Sequence, residues 1–122
     1  MNIKLILFLI LIPFLANSHE VNIEDKSVEE VVKQRMANMS KIKAYSSKMY
    51  PMTMSGEFDE IKEVNEKLLH AATEFKELFP EGTQGGKASN LIWEDRETFD
   101  LYNDNFIKSI QDIAISIENQ DS

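Results

Sequence analysis

Arg35 is the side chain whose position asks most for an explanation. At about 100° per residue it falls mid-stripe on an apolar helix face, between Val28, Val31 and Met39. A guanidinium turned toward a core is costly unless it is paired. It could meet an anionic ligand, snorkel to water, or bridge an acid on a neighbouring helix. A second grouping is Met49-x-x-Met52-x-Met54, read as crossing the first inter-helix turn. Clustered thioethers suit Cu(I). The competing reading, which the spacing favours, makes Met49 part of a helix stripe and the other two adaptable packing residues. His70 lies among Asp59, Glu63, Glu66, Glu74 and Glu77 and reads as a surface residue, and His19 falls beside a predicted cleavage site. With no nucleophile–base pair, phosphate loop or paired-histidine metal site in view, the expectation is a binding protein rather than an enzyme.

Three helices must position these residues. Ser27 with Glu30 three residues on is a capping box. Val28, Val31, Val32, Met39, Ile42, Tyr45 and Met49 then recur at helical spacing, and Pro51 predicts an end near Tyr50. A second helix opens at Glu57 to Asp59, with a stripe through Phe58, Ile61, Val64, Leu68, Leu69, Ala72, Phe75 and Leu78, and Pro80 stops it. Pro80 to Ser89 holds three glycines and reads as a loop. A third helix, of roughly 27 residues and about 40 Å, runs from Ser89 or Asn90 to about Ile117. Its predicted buried side is Ile92, Phe99, Tyr102, Phe106, Ile110, Ile113 and Ile117. The fold class is all-α: an antiparallel up-down bundle, three long helices of a four-helix-bundle architecture. Each stripe is wide enough to touch two neighbours, so one side of the core should be uncovered. Self-association or a partner helix over that face is the expectation.

Residues 1–18 read as a cleaved signal peptide: Lys4, an apolar run from Leu5 to Ala16, then Ala16-Asn17-Ser18. The mature domain is then 19–122, exported to a periplasm-like compartment with no membrane anchor after cleavage. Of the 13 basic residues only Lys4 is lost, leaving 12 against 21 acids and a net charge of −9. That balance argues against nucleic acid or anionic lipid as partners. The chain has no cysteine, hence no disulfide.

Phe79-Pro80-Glu81-Gly82-Thr83-Gln84-Gly85-Gly86-Lys87-Ala88, followed by Ile92-Trp93-Glu94-Asp95 and Phe99, resembles the centre of a cytochrome c prime, a class II c-type cytochrome. Arg35-Met36-Ala37-Asn38-Met39 matches the same family's first helix. The resemblance covers about residues 28–118. It implies a four-helix bundle holding haem between helices one, three and four, for electron transfer or small-gas binding. It places Arg35 at a propionate, Met36 against the haem, Met39 on the distal side and Lys87 at the haem edge, with Phe79, Trp93 and Phe99 packing the core. The family's Cys-x-x-Cys-His, which attaches the haem and ligates its iron, has no counterpart here, so covalent haem is excluded. The third helix runs out where relatives turn into the fourth, and the domain is read as lacking that helix. The alternatives are a haem-free helical interaction module and, less favoured, a methionine-based Cu(I) binder.

Overall fold

The computed structural model describes residues 25–120, Gln120 by its backbone alone; the predicted signal peptide lies outside the described residues. The fold is an all-α bundle: α1 (Val28–Ser55), α2 (Phe58–Lys76), a single turn α3 (Leu91–Glu94) and α4 (Arg96–Gln120). The predicted cap forms at α1, where Ser27 Oγ accepts the Glu30 N–H at 3.2 Å. Ser27→Ala should lower the unfolding free energy by about 1 kcal/mol in urea denaturation, since that N–H then loses its acceptor.

Three predicted boundaries differ. α1 continues through Pro51 to Ser55 and ends at Gly56, whose φ of 74° is left-handed and whose N–H reaches Met52 O and Thr53 O. Pro51 costs the Ser47 carbonyl its helical donor, but it lies near the helix end, where the glycine cap closes the last turn. The predicted third helix is two. Asp95 (φ −127°, ψ 66°) breaks it, and its Oδ1 accepts the Thr98 N–H at 3.3 Å, so this short acid caps α4 instead of extending α3. α2 stops at Lys76, earlier than Pro80, as Glu77 N–H and Leu78 N–H turn to Glu74 O and Phe75 O.

α2 is the central helix, with α1 on one side and α4 on the other. Ile42, Leu68, Ala71, Ala72 and Ile110 form the buried cluster, joined by Tyr45, Met49, Phe75 and Ile107. Two buried asparagines tie the layers together. Asn38 Nδ2 donates to Ala71 O (3.0 Å) and Asn65 Nδ2 to Ile110 O (3.1 Å). Among the described residues α1 and α4 nowhere come within 8 Å between Cα atoms. The gap between them is an apolar groove of about 490 Å³, floored by Phe58, Ile61 and Leu68. Tyr50, Phe106 and Ile113 stand on its walls, partly or largely exposed. Tyr102, expected on the buried side, is 68 % exposed; the residues that α4 buries are Asn103, Ile110 and Ile117. No helix among the described residues is long and apolar enough to cross a membrane.

Candidate functional site

The segment from Glu77 to Asn90 has no regular structure, yet Leu78, Phe79 and Thr83 are buried in it. Its buried carbonyls need donors from elsewhere, and side chains supply them. Arg35 Nε donates to Leu78 O (3.0 Å), Arg96 Nη1 donates to Phe79 O, and Trp93 Nε1 donates to Pro80 O (2.9 Å). Arg35 Nη2 continues the series to Thr83 O (2.9 Å) and Thr83 Oγ1 (3.0 Å). The Thr83 hydroxyl in turn donates to Pro80 O at 2.7 Å.

Arg35 therefore neither snorkels nor bridges an acid. It is 5 % exposed, and its guanidinium carbon sits 4.5 Å from the Phe79 ring centre and 5.3 Å from that of Trp93. Such stacking favours a desolvated cation. Burial pushes its pKa down, but from a value so high that it stays charged. Nη1 is buried with no partner among the described residues. Phe79 also meets Phe75 and Phe99, each at 4.8 Å between ring centres, and lies 5.9 Å from Trp93. The aromatic packing expected of Phe79, Trp93 and Phe99 is present.

Beside this cluster opens a cleft of about 430 Å³. All four residues singled out by the resemblance line it: Arg35, Met36, Met39 and Lys87. Val32, Phe75, Phe79 and Ile92 complete its apolar walls, and Gly85, Ala88 and Ser89 bring the loop to its rim. Met36 and Met39 are 51 % and 47 % exposed, although Met39 had read as a core-facing position. The loop can approach α1 this closely because of Gly86. Its φ is 63°, and a Cβ there would lie 2.9 Å from Val32 Cγ1.

Haem, implied by the resemblance, meets a split answer here. Apolar walls with a cationic edge suit a flat apolar group bearing carboxylates. The attachment residues do not exist: the 122 residues contain no cysteine, so thioether attachment is impossible, and no histidine among the described residues lines the cleft. His70 is half exposed and lies 3.4 Å from Glu74 Oε1, and it does not line the cleft. His19 lies outside the described residues. The methionine triplet is in the last turns of α1, not across a turn. Met49 packs on the core, Met52 is half-buried and Met54 is exposed. Helical spacing turns Met54 roughly 200° from Met52, so this run does not present three thioethers on one face.

Sequence reasoning missed Arg96 and Thr83. Arg96 looks like an ordinary surface pair with Asp100, four residues on, and it does make that contact at 3.2 Å. The available signal was indirect: a Pro-Gly loop that is pulled inward must borrow donors.

Searches of curated proteins and of solved structures return no match. The family profile described as Cytochrome C' matches residues 30–122, a span that holds nearly all of α1, the arginine-pinned loop, the cleft and α4. With three-quarters of its length so matched, the chain belongs to the cytochrome C' family.

Proposed function

We propose that this chain serves the family role, haem-based electron transfer or small-gas binding, by supplying ligand-facing walls while a Cys-x-x-Cys-His-bearing segment outside these 122 residues holds the iron. The observation that carries the reading is the convergence of Arg35, Met36, Met39 and Lys87 on one apolar cleft. The same reading assigns the chain no catalysis of its own and places it in an exported, periplasm-like compartment. Haem, when bound, supplies the redox and gas-binding chemistry. The chain's part is to bind and orient: Lys87 gives the cleft a cationic rim, Met36 and Met39 give it polarizable walls, and Arg35 holds the loop that carries Lys87.

The test uses a synthetic helical peptide with haem attached covalently through Cys-x-x-Cys-His. Titrated with the chain, it should show a saturable one-to-one Soret change, weakened at least tenfold by Met39→Asp. No complex at tens of micromolar would sink the proposal. Free haemin added to the chain alone should leave no covalent haem on a denaturing gel.

A second reading rests on a different observation, the uncovered groove between α1 and α4 with Tyr50, Phe106 and Ile113 on its walls. There the chain is a haem-free interaction module whose groove takes a helix from another copy or a partner. Sedimentation of colourless protein as a dimer that reverts to monomer on Ile113→Lys would favour it. A colourless monomer would dismiss self-association.

A further inference from the structure

The cleft beside Arg35 gathers cations in a chain of net charge −8: two of its lining residues are Arg35 and Lys87, and none is acidic. Arg35 is more than nine-tenths buried, and after its bonds to Leu78 and Thr83 it still has Nη1 buried and unpartnered among the described residues. That nitrogen is enclosed, so what Arg35 offers the cleft is its positive charge behind an apolar wall, which favours an anion there. The remaining walls are apolar, and about 430 Å³ is in the usual range for a small-molecule site.

From Arg35, Lys87 and these walls we propose that the cleft binds a medium-chain carboxylate, an unbranched apolar tail with a single anionic head. The carboxylate is recognised at the Arg35 and Lys87 edge, and the tail lies along Val32, Met36, Met39 and Phe75. Two methionines suit such a tail, because unbranched thioether side chains adapt to a flexible guest. An anion near Arg35 also offsets the desolvation that pushes its pKa down. The inference rests on the ligand-facing cleft of the proposed function, but it needs no iron, no haem and no second polypeptide segment.

Calorimetric titration of the haem-free chain with octanoate, decanoate and dodecanoate, below their micellar concentrations, tests it. One-to-one binding is expected, tightening about fourfold per added methylene until the cleft is filled. Decanol should bind at least tenfold more weakly than decanoate. Lys87→Glu and Met39→Asp change exposed positions, so both variants should keep their helical circular dichroism and bind decanoate at least tenfold more weakly. Absence of saturable binding, decanol binding as tightly as decanoate, or undiminished binding in both variants would overturn the inference. Binding of the haem peptide without any carboxylate binding overturns it while sparing the cytochrome reading. Carboxylate binding without haem-peptide binding upholds it and sinks that reading.

Discussion

Replacing Arg35 with leucine should cost about 4 kcal/mol of unfolding free energy, a large share of what a small domain has. Swapping a buried ion pair for apolar residues can be neutral when both partners are replaced. Here the partners are the backbone carbonyls of Leu78 and Thr83, which no substitution removes. Leucine would leave both without the guanidinium and would delete the cation stacked on Phe79 and Trp93. Arg35→Lys should recover part of the loss, costing about 2 kcal/mol, because an ammonium keeps the charge but cannot span two acceptors with a planar fork. Urea denaturation followed by the fluorescence of Trp93, the single tryptophan, measures both. A loss under about 1 kcal/mol for Arg35→Leu would mean that the residue behaves as a snorkelling surface cation.

That role was only half legible in the sequence. The helical period marked Arg35 as a charge on an apolar face and limited its partners to an anion, water or a neighbouring acid. The acceptors proved to be main-chain carbonyls, which every residue carries and no residue letter advertises. The glycines and Pro80 announced a loop, but not that Leu78, Phe79 and Thr83 would be buried within it. Arg96 was hidden in the same way, because an arginine four residues before an aspartate already looks satisfied. Asn38, Asn65 and Asn103 are buried too. Nothing in a single sequence separates an asparagine that ties two helices from one that faces water.

Element identity was more legible than element ends. Apolar period fixed α1, α2 and α4 because burying a stripe outweighs local preference over many residues. At the boundaries the competing terms are about 1–3 kcal/mol each and can go either way. Pro51 argued for a stop at Tyr50, and the left-handed cap at Gly56 prevailed. Asp95, which had read as part of a helix, acts as a cap. Period had already marked Arg35 and Met39, but Met36 and Lys87 came from resemblance alone, and only alignment with a family pattern brought the four together at one cleft. The uncovered groove was legible in outline, since the stripe of α4 is wider than the contact α2 can make with it.

Gly86→Ala should cost about 3 kcal/mol, the second large effect, and the cost should be partly repaired by a change on another element. Two penalties combine there. An L-residue at φ 63° costs roughly 1–2 kcal/mol. A Cβ at 2.9 Å from Val32 Cγ1 adds an overpacking cost of about 1–2 kcal/mol, because one side must shift. Val32→Ala alone should cost about 1 kcal/mol, Val32 being only partly buried. In the double variant the truncated side chain makes room for the new methyl, and only the backbone strain remains. The two changes should therefore fall short of additivity by about 1–1.5 kcal/mol in a double-mutant cycle. Additivity within about 0.3 kcal/mol would show that the loop does not press on α1 at this point. The coupling has a functional side, since Val32 and Lys87 line the same cleft on opposite sides of the contact. A loop pushed away by the added methyl carries Lys87 with it, so decanoate affinity should fall in Gly86→Ala, although neither substitution alters a charge. It should recover only in part in the double variant, where Val32→Ala still trims the wall along which the tail lies.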